Sequence, residues 1–377
     1  MKPNSPFESC VTVAEIDLQA IAHNLAKIKK RVAPAKVMAV VKANAYGHGV
    51  EGVAKVAVAQ GIDYFGVARV EEGIELRELG IATPVLVLGG FFEEQIEESL
   101  RHDLELTLYD RKNAQALSEI ARRMRKVARV HIKVDTGMAR VGVPCEEAAQ
   151  FVVLVKDFEH INPAGIYTHL SSSDEADPTY SNLQLNRFQS IISDLNARNI
   201  HIPLAHAANS GGVLNLPHSY FDMVRPGVSL YGYYPAAETA RNLSLQPAMS
   251  IKSRVIFIKE VEKDTFISYN RTYQTSRKTT VATVSIGYAD GYNRLLSNRG
   301  EVLIRGHRFP VVGRVTMDQI MVDVGLASEI EVGDEVVLLG RQGQDEITVY
   351  EICEKLNTIP YEVTCWVSER VPRVYKM

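Results

Sequence analysis

A buried-strand pattern that ends on a lysine is the first candidate for chemistry in this sequence. The apolar run 37–41 leads into Lys42, and a turn containing Gly47 follows. Continuous apolar runs of this length are typical of parallel strands covered on both faces. Burial of the Lys42 amine would lower its pKa and make it a nucleophile or a base. The alternative is a lysine whose amine reaches solvent from the strand end, and this stretch alone does not decide between the two.

Two later stretches carry residues suited to holding a phosphate. Residues 209–212 read Asn-Ser-Gly-Gly and residues 225–228 read Arg-Pro-Gly-Val, so together they offer a hydroxyl and several backbone N–H donors. A phosphate there, with Lys42 as a Schiff-base amine, suggests a phosphorylated aldehyde cofactor, and pyridoxal phosphate fits. The alternative for 209–212 is a helix N-cap and nothing more.

Two cationic or imidazole side chains also follow predicted strands. Arg225 keeps its proton near neutral pH, so against a pyridine nitrogen it would donate a hydrogen bond without protonating the ring. The ring would then be a weak electron sink. The alternative for Arg225 is an ion pair with Asp222 or Asp135. His169 could stack on a cofactor ring or be a satisfied buried imidazole, whereas His131 and His206 lie inside strands and are interpreted as core residues.

The elements that would position these residues alternate as strand and helix over about 240 residues, which is the size of a (β/α)8 barrel. The predicted strands end, in order, at Lys42, Arg69, Gly89, Tyr109, Asp135, His169, Asn209 and Arg225. Barrel active sites lie at these carboxyl ends, and loops after strands seven and eight often hold phosphate. A doubly wound open sheet is the competing architecture, but no G-x-G-x-x-G turn follows any strand. We therefore predict a TIM-type barrel.

The sequence pattern changes after about residue 237. Short strands then recur between turn residues, and a single helix is predicted at about 349–356. This pattern predicts a mainly antiparallel C-terminal β domain.

Composition excludes several classes of function. The chain has 377 residues and a net charge of -3, which gives no electrostatic case for nucleic acid or an anionic membrane. Its four cysteines form no metal-binding pattern, and reduced thiols in a cytoplasmic protein are the default expectation. No apolar run suggests a signal peptide or a membrane span.

Ordered sequence blocks along nearly the whole chain resemble those of bacterial alanine racemases, which are pyridoxal-phosphate-dependent fold-type III enzymes. The first block is Val40-Val41-Lys42-Ala43-Asn44-Ala45-Tyr46-Gly47-His48-Gly49, and the others lie at 133–142, 167–169, 208–210, 225–227, 272–273, 286–291, 313–318 and 361–362. The resemblance implies an isomerase that interconverts L-alanine and D-alanine and supplies D-alanine for peptidoglycan.

The resemblance implies two bases. Lys42 would form the internal aldimine and act on one face, and Tyr273 would act on the opposite face from the partner subunit of a head-to-tail homodimer. Two bases are needed because racemisation removes the α-proton from one face and returns a proton to the other. The phenol pKa of a free tyrosine is about 10, so His169 or cations such as Arg225 would have to lower it.

The resemblance also implies the remaining contacts of cofactor and substrate. The phosphate would be surrounded by Tyr46, Asn209, Ser210, Gly227, Val228 and Tyr361. Arg225 would face the pyridine nitrogen, and His169 would lie against the ring and orient Tyr273. Arg140 would contact the phenolic oxygen and, with the backbone of Met317, the substrate carboxylate. Tyr288 and Tyr361 would narrow the substrate entrance, and Lys133 occupies the position of a carbamylated lysine in some relatives.

We predict three segments along the chain. Residues 1–14, with a short strand at 8–14, would join the β domain, as the resemblance implies; residues 15–238 would form the barrel and 239–377 the β domain.

Three alternative functions remain open: a racemase of another or broader amino-acid range, a related decarboxylase, and a non-enzymatic cofactor-binding barrel. Arg225 argues against the decarboxylases, which pair the pyridine nitrogen with an acid, and the β domain argues against the non-enzymatic barrel.

Overall fold

A computed structural model describes residues 10–236, 239, 241–326 and 329–377. The chain forms two compact units, one of Ala20–Gln246 and one that combines the chain up to Gln19 with Pro247–Met377. The predicted boundary at residue 238 and the start of the predicted strand at 8–14 lie outside the described residues. The strand that the structure shows there begins at Val13 and continues to Asp17, so it lies further along the chain than predicted.

Eight parallel strands make the sheet of the first unit. They are Lys36–Val40, Tyr64–Val67, Val85–Val87, Glu105–Leu108, Ala128–Asp135, Ile161–Tyr167, Leu204–His206 and Met223–Val224. Each pairs with the next as far as Leu204–His206, and Met223–Val224 pairs back with the first. A short ninth strand, Val143–Pro144, pairs with Ala128–Asp135 outside this order. The backbone bond from Asp222 N to Ala205 O, 2.9 Å, joins the last two strands of the barrel. The sheet is therefore nearly closed, and the predicted (β/α)8 barrel is confirmed.

The first helix of the barrel precedes its first strand, and the others follow barrel strands, as the alternating pattern predicts. They are Leu18–Val32, Val50–Ala59, Val70–Glu78, Ile96–Arg101, Arg111–Met124, Cys145–Lys156, Thr179–Ala197 and Ser210–Asn215. Strand interiors are buried Val, Leu, Ile and Phe with almost no exposed area, which is typical of a parallel sheet covered on both faces. No helix among the described residues is long and apolar enough to cross a membrane.

The second unit is mainly antiparallel, with one large sheet and a separate two-stranded sheet formed by Phe266–Ile267 and Tyr273–Gln274. Its strands are Val13–Asp17, Met249–Val261, Phe266–Ile267, Tyr273–Gln274, Thr279–Val284, Glu301–Ile304, His307–Pro310, Ile320–Asp323, Glu335–Gln342, Asp345–Ile347 and Arg373–Lys376. The strand Val13–Asp17 pairs antiparallel with Met249–Val261 and parallel with Arg373–Lys376. The predicted class of this domain is confirmed, but the prediction of one helix is wrong, because Pro360–Cys365 forms a second one after Val349–Leu356.

Candidate active site

Lys42 lies just beyond the carboxyl end of the strand Lys36–Val40 and opens a turn of unusual handedness. Ala43, Asn44, Ala45 and Tyr46 all have φ of 51–53°, which is the left-handed region. For residues with a Cβ this conformation costs roughly 1–2 kcal/mol each. Four such residues in a row require the surroundings to fix the backbone.

Side-chain hydrogen bonds hold this left-handed turn. Glu72 Oε1 accepts from Ala43 N at 2.6 Å, and Asn44 Oδ1 accepts from Val50 N at 2.7 Å. Glu72 Oε2 also accepts from Ala68 N at 2.7 Å, so one carboxylate joins the ends of the first two strands of the barrel. The turn is therefore fixed by polar contacts that leave the Lys42 side chain at the barrel mouth.

Replacement of Ala43 by glycine should stabilise the protein, contrary to the usual effect of glycine. Ala43 is exposed and left-handed, so the change relieves steric cost and loses little packing. We expect a gain of roughly 1 kcal/mol in the free energy of unfolding, after the larger entropy of an unfolded glycine is subtracted. Ala26 is an exposed alanine inside the right-handed helix Leu18–Val32 and is the matched control. Ala26→Gly should lose about 1 kcal/mol. Urea unfolding midpoints that move in the same direction for both variants would contradict this account.

The loops after the seventh and eighth barrel strands meet around Ser210. Ser210 Oγ accepts from Gly227 N at 2.9 Å and from Ser229 Oγ at 3.0 Å. A Cβ on Gly227 would lie only 2.4 Å from the hydroxyl oxygen of Tyr46, so a residue without a side chain is required there. Two hydroxyls and the backbone N–H of Gly227 thus converge at one place. The predicted phosphate site there stays a prediction.

Asn209 is the N-cap of the helix Ser210–Asn215. Its Oδ1 accepts from Gly212 N at 3.0 Å and from Ser173 Oγ at 2.6 Å, and its Nδ2 donates to Leu170 O at 3.2 Å. The N-cap alternative is therefore confirmed for the Asn209 side chain. Its predicted contact with phosphate stays a prediction, and the backbone N–H is the donor that could make it.

Arg225 is a buried cation, only 3% exposed. Its Nη2 donates to Thr168 O at 2.7 Å and Ala207 O at 3.0 Å, and its Nη1 donates to His206 Nδ1 at 2.7 Å. The ion-pair alternative is wrong, because Asp222 accepts from Ala205 N and Asp135 accepts from three backbone N–H groups of its own loop. Burial lowers the Arg225 pKa to about 10, which leaves the group charged at neutral pH.

His169 and Tyr167 lie next to this guanidinium. Arg225 Nη2 is 3.3 Å from His169 Nδ1, and its Cζ is 5.0 Å from the centroid of the Tyr167 ring. Burial, followed by repulsion from Arg225, lowers the His169 pKa well below its usual value. The imidazole is thus neutral, and if it accepts at Nδ1 its proton is on Nε2. Whether this ring lies against a cofactor stays a prediction.

Lys133 lies inside the barrel on the strand Ala128–Asp135 and is 5% exposed. Burial, together with the positive charges of Arg140 and Arg225, lowers its pKa to about 7. Its Nζ is 5.4 Å from the centroid of the Tyr167 ring. Arg140 itself is exposed, in the loop that follows this strand.

The β domain carries the other predicted residues. Tyr273 begins a two-residue strand, and its hydroxyl donates to Asp323 Oδ2 at 3.4 Å. Burial and the Asp323 carboxylate raise the phenol pKa, which is the opposite of what a base requires. Within its own unit Tyr273 is therefore held as a hydrogen-bond donor, and any lowering of its pKa must come from elsewhere.

Tyr288 and Met317 are neighbours because two chain segments cross at Gly287. Tyr288 N donates to Thr316 O at 3.0 Å, and a Cβ on Gly287 would lie 2.2 Å from Met317 O. Both side chains are exposed. The predicted places of Tyr288 at the substrate entrance and of the Met317 backbone at the substrate carboxylate stay predictions. Tyr361 lies on the helix Pro360–Cys365, which the sequence interpretation missed.

The fold and the cluster at the barrel mouth define a barrel enzyme with an appended antiparallel domain. Two family models cover the chain: alanine racemase N-terminal domain at residues 16–235, and alanine racemase C-terminal domain at residues 248–375. The chain belongs to the alanine racemase family. This confirms the predicted resemblance and the predicted class of enzyme, an isomerase of the racemase type.

Three relatives illustrate the match. Alanine racemase 2 of Caldanaerobacter subterraneus subsp. tengcongensis is 48% identical over 366 residues, covering 97% of this chain and 94% of the relative. The alanine racemase structure from Clostridium difficile 630 is 41% identical with a TM-score of 0.93, covering 98% of this chain and 96% of that one. The Bartonella henselae alanine racemase with covalently bound pyridoxal phosphate is 30% identical with a TM-score of 0.88, covering 97% of this chain and 100% of that one.

Proposed function

We propose that this chain interconverts L-alanine and D-alanine with pyridoxal phosphate, and that it supplies D-alanine for peptidoglycan. The observation that carries this proposal is Arg225, a buried cation that forms no direct ion pair with a carboxylate among the described residues and lies at the barrel mouth. A guanidinium there suits a weak electron sink, and a weak sink suits proton transfer between two bases more than decarboxylation. The names of the relatives support alanine as the substrate.

The barrel mouth fits the three functional parts of this cofactor. Lys42 offers an amine to the aldehyde, and Arg225 offers an Nη1 N–H to the pyridine nitrogen. Tyr46 and Ser210 offer hydroxyls to the phosphate, beside the space that Gly227 keeps open. Further cofactor contacts are proposed for Arg140, His169, Val228 and Tyr361, and for the backbone of Asn209.

Pyridoxal phosphate, when bound, supplies the means to spread negative charge away from the α-carbon of an attached amino acid. The residues of the chain then have to move protons and hold the substrate. Lys42 Nζ takes or gives the α-proton on one face, and Tyr273 Oη of the partner subunit serves the other. Arg140 and the backbone of Met317 hold the carboxylate, and His169 orients the second base.

Racemisation is tested by incubating the holoenzyme with L-alanine in D2O. We expect loss of optical rotation together with deuterium at the α-carbon, because a proton lost to one base is replaced from solvent through the other. Parallel runs with L-serine and L-lysine test the alternative of a broader racemase. Release of carbon dioxide, or no turnover of L-alanine at all, would overturn the proposal.

Lys133 is proposed to be carbamylated, so that its charge changes from repelling Arg140 to attracting it. Only the neutral amine attacks carbon dioxide, and with a pKa of about 7 the neutral form increases as pH rises through that value. We expect a carbamate signal in the 13C NMR spectrum after equilibration with 13C-bicarbonate, stronger at pH 8 than at pH 6.

The matched controls are two lysine variants. Lys133→Ala should remove the carbamate signal, whereas Lys126→Ala, which removes a half-buried amine paired with Asp103, should retain it. A spectrum that is the same for wild type and Lys133→Ala would exclude this modification.

A further inference from the structure

A chain of hydrogen bonds crosses the barrel interior from Arg225 to the side of Glu105. His206 Nδ1 is 2.7 Å from Arg225 Nη1, and His206 Nε2 is 2.8 Å from His131 Nδ1. His131 Nε2 in turn is 2.9 Å from Glu105 Oε2. The two imidazoles are fully buried and Glu105 almost so. Three strands of the barrel and the residue that follows the eighth thus contribute one connected polar path through the barrel interior.

The chemistry of the two ends fixes the direction of every bond. Glu105 is an acceptor, because hydrogen bonds from His131 and Arg129 lower its pKa despite the opposing effect of burial. His131 must then donate from Nε2, and burial lowers its pKa, so the neutral ring accepts at Nδ1. His206 must donate from Nε2 into that lone pair. Its Nδ1 is therefore bare, and it accepts from the guanidinium.

The neighbouring strand accommodates the His131 ring by lacking a side chain and by an irregularity in its pairing. A Cβ on Gly165 would lie 2.2 Å from His131 Nδ1, so the neighbouring strand has no side chain there. The ladder between these two strands shifts register at the same place, between Val130 and His131. On the other side, the Tyr167 ring stacks on His206 with centroids 4.7 Å apart and an interplanar angle of 3°. Both rings are thus fixed in orientation as well as buried.

Buried charges are normally paired. Arg225 has no direct carboxylate partner among the described residues, and the carboxylate connected to it by hydrogen bonds is Glu105, two neutral rings away. We propose that Glu105 is a positioning residue that acts through two buried imidazoles to keep His206 Nδ1 a bare acceptor facing Arg225. The hydrogen bond to His206 holds the guanidinium in place. The second N–H of Arg225 Nη1 is then left for the pyridine nitrogen of the proposed cofactor. The expected effect of Glu105 on turnover rests on the proposed function. The proposed tautomers of His131 and His206 do not.

The tautomers are measured directly by 15N NMR of the holoenzyme labelled in histidine. We expect both rings to be protonated on Nε2 and bare on Nδ1, with signals assigned from His131→Gln and His206→Gln. Protonation of His206 at Nδ1 in the wild type would overturn the inference, whatever the activity. Correct tautomers in a protein that does not racemise alanine would overturn only the proposed function.

The role of the anion is tested by Glu105→Gln. The amide can present its NH2 to His131, which reverses the chain and sets an N–H of His206 against Arg225. We expect a population protonated at His206 Nδ1 and a kcat lowered roughly tenfold, with KM changed by less than about twofold. Arg129→Gln is the matched control, because it removes the other, half-exposed partner of Glu105. It should leave both tautomers as in the wild type, and unchanged tautomers in Glu105→Gln would refute the role of Glu105.

A second pair of variants keeps the test decisive if Glu105→Gln does not fold. A glutamine at 131 can donate its NH2 to Glu105 and accept from His206 through its carbonyl, so His131→Gln should preserve the His206 tautomer. His131→Leu removes that acceptor and should release the tautomer. The same His206 spectrum in both variants would contradict the inference.

Discussion

Replacement of Lys42 by alanine is expected to reduce racemisation by roughly 10³-fold or more, the contribution of a positioned base and nucleophile combined. The turn that follows Lys42 is held by Glu72 and Asn44 and does not depend on the lysine side chain, so the variant should fold. The measurement is the rate of loss of optical rotation of L-alanine by the protein saturated with pyridoxal phosphate.

The same strand supplies the control. Lys36 begins the strand that ends at Val40, and its side chain is exposed at the opposite end of the barrel from the candidate site. Lys36→Ala should therefore racemise alanine at close to the wild-type rate. If Lys42→Ala retained activity comparable to Lys36→Ala, Lys42 would be neither the base nor the cofactor amine.

Replacement of Tyr273 by phenylalanine is expected to lower racemisation by about 10²-fold to 10⁴-fold, the range for removal of one general base. The rates of L-to-D and of D-to-L conversion must fall by the same factor, because an enzyme variant cannot change the equilibrium between the enantiomers. Exchange of the α-proton should nevertheless continue on the face that Lys42 serves. One enantiomer of alanine should therefore gain deuterium from D2O without inversion, which is the result that distinguishes a missing base from a misfolded site.

Tyr269 provides the control for this second prediction. It lies in the turn just before the strand that Tyr273 begins and is 69% exposed, and Tyr269→Phe should keep the wild-type rate. Burial, together with the hydrogen bond that the Tyr273 phenol donates to Asp323 within its own unit, raises the pKa of this phenol. Full activity of Tyr273→Phe in both directions would exclude the two-base mechanism.

The part of the fold that could be predicted is the barrel, because its strand-helix unit repeats along the sequence. Apolar runs such as the strand Lys36–Val40, each followed by a helical pattern, indicated eight parallel strands because only a sheet covered on both faces buries such runs. The helix Pro360–Cys365 was missed because its six residues are too few to show a helical period.

The parts of the site that could not be predicted depend on contacts between distant residues. Ala43 and Tyr46 carry no sequence signal for positive φ, because the hydrogen bond that holds their turn comes from Glu72, on another element. His131 and His206 were interpreted as core residues, and only the structure shows them bonded to each other. A glutamate at the start of an apolar strand, Glu105, is the available sequence signal for that path. The roles of Tyr273, Arg140 and Met317 came from the resemblance alone.

The left-handed turn after Lys42 also couples the candidate amine to the docking of a neighbouring part of the barrel. An unfolded chain almost never samples four successive residues in that region, since each is disfavoured by roughly 1–2 kcal/mol. The bond from Ala43 N to Glu72 needs the start of the helix Val70–Glu78, which follows the second strand, Tyr64–Val67. The geometry at Lys42, the candidate catalytic amine, is therefore stable only while these neighbours are docked, and its stability is coupled to theirs.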